Sequence, residues 1–230
     1  MKNSTAILIP ARGGSKGIKN KNLKNFNKKP LIYWTINFAK KLKKNKFDTV
    51  VSTNCNKIKK ICKSEKITYL NRSRKISGEK VSMHEVIFDT IKKIKKKYKY
   101  IILLQPTSPL RKLNLIYKAI DLLDKKIKFD SLISLANDNS FSGKIKNNLW
   151  KPDYDLNKRT QDIKDKFVPT GNLFVYRYNL YKNKIIKPKN TYGLVLGDEN
   201  WIDIDCENDL KLLSVYLIKS KTKRLLVYNK

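Results

Sequence analysis

The chain has 230 residues, enough for one large α/β domain or two small ones whose core needs no covalent staple. Hydrophobic residues make up 40% and aromatic residues 10%, which excludes wholesale disorder. Charge is the outlier: 52 Lys+Arg against 19 Asp+Glu gives +33, and 45 of the cations are lysine.

Thr5-Ala6-Ile7-Leu8-Ile9 is a short apolar run stopped by Pro10, the pattern of a buried strand. A glycine- and lysine-rich loop follows, from Ala11 to Asn25. Pro30 opens a helical stretch with Leu31, Trp34, Thr35, Phe38 and Leu42 on one face. Thr49-Val50-Val51-Ser52 reads as a second strand, Ile58, Ile61 and Cys62 mark a helix, and Ile67-Thr68-Tyr69-Leu70 reads as a third strand. The helix from about Ser82 to Lys95 buries Val86, Ile87, Thr90, Ile91 and Ile94. Tyr100 to Leu104 is a central strand stopped by Gln105-Pro106. A helix with Leu115, Ile116, Ala119, Ile120 and Leu123 leads to the strand Ser131 to Leu135. This alternation predicts an α/β fold, a parallel sheet covered on both faces. The rhythm breaks in a polar excursion near 137–168. Leu173 to Tyr176 then resumes the sheet, Trp201 to Asp205 is expected as a late strand, and Asn208 to Ile218 as a final helix. One domain spanning 1–230 is expected, with the excursion protruding from it.

No apolar run reaches the roughly 18–20 residues that span a bilayer. The opening Met1-Lys2-Asn3-Ser4-Thr5 leads into a run too short for a signal-peptide core, so a soluble, cytoplasmic protein is expected. The charge invites a nucleic-acid reading. Recognition surfaces favour the arginine fork, however, and the lysines are dispersed along the chain. Joint enrichment in Lys, Asn and Ile with depletion of Ala reads as A+T-rich coding, with the lysines on solvated faces. A basic field still attracts anionic substrates. Cys55, Cys62 and Cys206 have neither disulfide nor zinc spacing and are read as free thiols. His84 stands alone and is read as a packing residue.

Three clusters carry chemistry. The segment from Pro10 to Leu23 follows the first strand, at the edge where an open α/β sheet binds ligands. Gly13, Gly14 and Gly17 let main-chain N–H groups approach an anion, and Arg12, Lys16 and Lys21 add charge. Neither the Walker spacing nor the dinucleotide fingerprint is present, and a plain surface turn stays open as an alternative. Asp203 and Asp205, two apart on an expected strand, would face one way and could share a hard cation, with solvated acids as the alternative. Leu103 to Arg111 is a strand end with two prolines. Gln105 there can both donate and accept, unless the turn is only a rigid connector.

Together, Ile9-Pro10-Ala11-Arg12-Gly13-Gly14-Ser15-Lys16-Gly17, Lys21-Asn22-Leu23, Val51-Ser52-Thr53, Leu104 to Arg111 and Ile202-Asp203-Ile204-Asp205 resemble the acylneuraminate cytidylyltransferases in order and spacing. That family makes CMP-activated sialic and related nonulosonic acids. The resemblance implies a three-layer, Rossmann-related fold of the nucleotide-diphospho-sugar transferase type. It also implies attack by a sugar's anomeric hydroxyl on the α-phosphorus of CTP, with pyrophosphate leaving. By the same analogy, Arg12, Lys16 and Lys21 would serve catalysis, and the main chain from Ala11 through Gly13, Gly14 and Ser15 to Gly17 would hold the triphosphate. Asn22, Arg72 and Ser82 would recognise the cytidine, and Asp203 and Asp205 would carry Mg²⁺ or Mn²⁺. Gln105, Arg159, Gln161 and Phe174 would meet the sugar.

A homodimer built through the excursion is implied too, with Lys158 and Arg159 reaching a carboxylate in trans. Thr107-Ser108 departs from the acidic turn of the 3-deoxy-manno-octulosonate branch. Asn54, Glu79, Thr160, Thr170, Asn172 and Phe174 depart from the usual family residues, clustering where the sugar would bind. The sugar therefore stays open. A nucleotidyltransferase for another sugar or alcohol is the second reading, and a basic nucleic-acid-binding protein the third. No membrane partner is expected.

Overall fold

The computed structural model describes residues 5–15, 17–43, 47–157, 159–162, 166–182, 188–197 and 201–218. Its frame is a seven-stranded sheet. β1 (Thr5–Pro10) lies centrally between β4 (Phe47–Thr53) and β6 (Tyr100–Leu103), parallel to both. β5 (Thr68–Asn71) continues outward from β4, giving the order β11-β7-β10-β6-β1-β4-β5 once the other half is added. In that half β7 (Ser131–Asn137) and β11 (Thr191–Val195) pair in parallel. β10 (Phe167–Arg177) alone runs antiparallel, between β6 and β7. The sheet is thus mostly parallel, as the strand–helix alternation predicts.

Side-chain alternation along the strands builds the layers. Ile7, Ile9, Val51, Ile102, Leu132 and Val175 face α1 (Leu31–Lys43), α2 (Asn56–Ser64) and α4 (Leu113–Lys125), whose Ile36, Ile58 and Ala119 are fully buried against them. Leu8, Ile101, Leu103 and Tyr176 point the other way, to α3 (Met83–Ile94) and the short α5 (Asn179–Lys182). β6 is buried along its whole length, which is why it reads as continuous apolar sequence rather than as alternation. A third cluster lies beyond the sheet. Ile18, Phe26, Leu31, Leu110, Ile202, Ile204 and Leu213 gather under α6 (Glu207–Ile218), tying the first loop to the late segment. Phe26 lies within a tight ribbon of β2 (Asn25–Phe26) and β3 (Lys29–Pro30), and Leu31 follows it.

Three expectations change. Residues 201–205 form no strand: the segment pairs with no strand of the sheet, and its Ile204 N–H donates to the Thr107 carbonyl in the turn after β6, at 2.9 Å. The alternation survives without a ladder, with Ile202 and Ile204 buried and the aspartates turned away from them. The edge strand β11 has no counterpart among the elements expected from the sequence. Three of its five residues are exposed, and Gly193 sits where a Cβ would come 2.8 Å from Leu135. The polar excursion holds a hairpin of β8 (Gly143–Lys146) and β9 (Leu149–Pro152), turned by Asn147 and Asn148 at φ 51° and 61°.

Candidate active site

The chain leaves β1 for β4 on one side and returns to β6 on the other. The crevice at the carboxyl ends of β1 and β6 is therefore a topological switch point, where open α/β sheets bind ligands. A cavity of about 400 Å³ opens there. Its walls come from the loop after β1 (Arg12, Ser15, Gly17, Lys21, Asn22), from Arg72 and Glu79, and from the turn after β6 (Gln105, Thr107). The late segment completes it with Asp203 and Asp205.

Close packing brings the first loop and the late segment together. A Cβ on Gly17 would stand 2.6 Å from the Asp205 carbonyl oxygen, so only glycine permits this approach. Lys21 Nζ donates to the Ile204 carbonyl at 2.7 Å and to Asp205 Oδ1 at 2.8 Å. Asp209 adds a second restraint by accepting the N–H groups of Asp205 and Cys206 at 2.8 and 2.7 Å. Partial burial raises the Asp209 pKa, but these N–H groups outweigh it and hold the carboxyl below its ordinary value.

The loop itself is pinned at several points. Gly13 N–H donates to the Asn54 side chain at 2.8 Å, and Asn22 Nδ2 donates to the Arg12 carbonyl at 3.0 Å. Ala11 is fully buried, and its N–H continues the sheet by donating to Ser52. Gly14 adopts φ +75° at an exposed position. Across the cavity Arg72 is buried and donates Nε to the Ile76 carbonyl at 2.8 Å. Burial, and then the nearby Arg12 guanidinium, push its pKa down to about 10, still cationic at neutral pH.

Asp203 is gripped from two sides. Ser108 Oγ donates to Asp203 Oδ1 at 3.1 Å. Gly171, at φ +70°, lies against the same carboxylate; a Cβ there would sit 2.4 Å from Ser108 Oγ and 2.9 Å from Asp203 Oδ2. Gly171 belongs to a break in β10's register between Pro169 and Phe174, a bulge that re-aims the strand beside the cavity.

The cavity thus gathers Arg12, Ser15, Gly17, Lys21, Asn22, Arg72, Gln105, Asp203 and Asp205 of the expected set. Lys16 lies outside the described residues. Ser82 is instead the N-cap of α3, in a capping box with Glu85, and does not line the cavity. Phe174 is half-buried in the cluster below α3. Arg159 and Gln161 are exposed, with Arg159 paired to Asp162 at 3.0 Å. These three do not reach the cavity within one chain. Glu79, one of the departures from the usual family residues, lines it too, and so do Val81 and Met83, which no motif marks. Ser108 and Gly171 act from behind its wall, which only tertiary contact discloses. Among the described residues no group of three His, Cys, Asp or Glu side chains forms a metal cage.

The same fold recurs in solved structures. CMP:2-keto-3-deoxy-manno-octonic acid synthetase complexed with CTP superposes with a TM-score of 0.69 at 12% identity, over 94% of this chain and 99% of that one. A 4-diphosphocytidyl-2C-methyl-D-erythritol synthase from Anaerococcus prevotii gives 0.67 at 13% identity, likewise over 94% and 99%. The chain belongs to the cytidylyltransferase family, whose model matches residues 6–189. The N-acylneuraminate cytidylyltransferase of Escherichia coli O18:K1:H7 is 28% identical over 99% of this chain and 55% of its own length. That of Streptococcus agalactiae serotype V is 26% identical over 95% and 55%. The chain therefore spans about half the length of these relatives. It matches 94% of the post-translational flagellin modification protein B of Campylobacter coli, at 27% identity over 93% of this chain.

Proposed function

We propose that this chain transfers the CMP group of CTP to the anomeric hydroxyl of a nonulosonic, sialic-type acid. The sugar oxygen bonds to the α-phosphorus, the bond from that phosphorus to the bridging oxygen breaks, and pyrophosphate leaves. The observation that carries the reading is the single cavity in which the glycine loop, Gln105 and two aspartates converge. The names of relatives that align over nearly the whole chain support the sugar class.

In this reading the amides and cations of the loop, Arg12 and Lys21 among them, receive the triphosphate. Asn22 and Arg72 face the cytidine, and Gln105 faces the sugar. Lys21 can exchange its contact with Asp205 for a phosphate oxygen. Lys16 belongs to the same loop by sequence. Asp203 and Asp205 suit Mg²⁺ or Mn²⁺: after the Ser108 and Lys21 contacts each keeps an oxygen for a hard cation, which takes its other ligands from phosphate and water. When bound, the cation neutralises charge developing on the phosphates. No side chain is assigned as a general base.

We place the sugar-side residue Arg159, with Gln161 beside it, in a homodimer made through the excursion. Ile145, Leu149, Trp150 and Leu156 are exposed there, at 72, 59, 47 and 71% of full accessibility. Such apolar exposure marks a contact surface.

The test is pyrophosphate release from CTP, ATP, GTP and UTP against neuraminic-, legionaminic- and pseudaminic-type acids and 3-deoxy-manno-octulosonate. Release from CTP that requires one of the nine-carbon acids is the expected result. Release with only the eight-carbon acid, or with another nucleotide, would overturn it.

A further inference from the structure

Arg111 is 4% exposed at the end of the turn that follows β6, and among its hydrogen bonds none goes to a carboxylate. Its Nε donates to the Asn172 carbonyl at 2.7 Å, its Nη1 to Thr35 Oγ1 at 3.2 Å, and its Nη2 to the Gln105 carbonyl. One planar fork therefore ties α1, the turn after β6 and the bulge of β10 together. Two of these segments form the grip on Asp203: the turn supplies Ser108 and the bulge supplies Gly171.

We infer that Arg111 is a positioning residue that sets the Asp203 carboxylate for a divalent cation by fixing the two segments that hold it. The inference rests on the nucleotidyl-transfer reading above and adds to it a residue outside the cavity wall. Burial pushes the Arg111 pKa down to about 9, and the charge of Asp203 opposes that fall. A lysine would keep the charge but could not hold three acceptors in one plane.

The test compares wild type, Arg111→Lys and Ser108→Ala by calorimetric titration of CTP with and without Mg²⁺, alongside thermal melting. Wild type that binds no CTP in either condition would overturn the functional reading itself, before any variant is compared. Given binding, Arg111→Lys is expected to keep its metal-free CTP affinity within about twofold, while the gain that Mg²⁺ confers falls about tenfold or more, as for lost outer-shell partners. Ser108→Ala is expected to lose part of the same gain. A wild-type gain in Arg111→Lys, or equal weakening with and without Mg²⁺, would overturn the inference. Should Arg111→Lys fail to fold, Ser108→Ala decides: a reduced gain supports the grip on Asp203, and an unchanged gain overturns it.

Discussion

Asp205 stands where a side chain on residue 17 would go, and this one approach joins the two halves of the site. Gly17→Ala is expected to part loop and aspartate by fractions of an ångström and to cost about 10²-fold in kcat/KM, with little change in melting temperature. Unaltered kinetics would mean that the approach is irrelevant to catalysis. Asp205→Asn removes a charge from the cavity while keeping its shape. Its kcat is expected to fall by about 10²-fold or more, as when one electrostatic stabiliser is lost, with the circular dichroism spectrum preserved. His84 lies outside the cavity lining. Its ring accepts from or donates to Tyr181 Oη at 2.8 Å beside Tyr176, and burial lowers its pKa from 6.5. The unfolded chain therefore binds a proton that the folded ring resists, so stability is lost as pH falls below about 6.5. Melting temperature between pH 7.5 and 5.5 is expected to drop more in wild type than in His84→Phe. Parallel drops would clear His84 of the effect. At this scale the sequence showed the residues with open chemistry, such as Arg12, Lys21 and Asp203. It hid the roles of Arg111 and Ser108, which depend on the Asn172 carbonyl 61 positions away and the Asp203 carboxylate 95 positions away.

Among the elements, helices and central strands were legible because their burial is one-sided or complete. The segment 201–205 looked like a strand because its apolar residues alternate, yet its partner is a turn rather than a strand. The alternation serves a satellite core instead, in which fully buried Ile204 packs beside Ile18 and Leu213. Ile204→Ala is expected to cost about 2–5 kcal/mol in denaturant unfolding and to loosen the aspartates with it. A loss well under 1 kcal/mol would show that the segment is held elsewhere. The hairpin of β8 and β9 escaped notice because its apolar residues face out rather than into this chain's core. In sedimentation velocity, wild type is expected to sediment as the homodimer proposed above, and Ile145→Asp with Leu149→Asp as monomers. A dimer that survives both charges would move the interface elsewhere.

For the whole molecule, the fold gathers Arg12, Lys21 and Arg72 around one cavity at the carboxyl edge of the sheet. Lys19, Lys24, Lys57 and Lys60 line an open groove beside the first loop, so part of the +33 charge lies close to the cavity. Added salt is expected to lower kcat/KM for CTP while sparing kcat, because screening shortens the reach of that field to about 10 Å at moderate ionic strength. A nucleic-acid-binding role would instead give tight duplex or single-strand binding with a steep salt slope. No helix among the described residues is long and apolar enough to cross a membrane. The most direct measurement is a crystal structure with CTP and Mg²⁺ bound. The triphosphate should lie against the N–H groups of residues 13–17, with the metal about 2.1 Å from oxygens of Asp203 and Asp205. A nucleotide seated away from that crevice, or a metal that neither aspartate touches, would contradict the account.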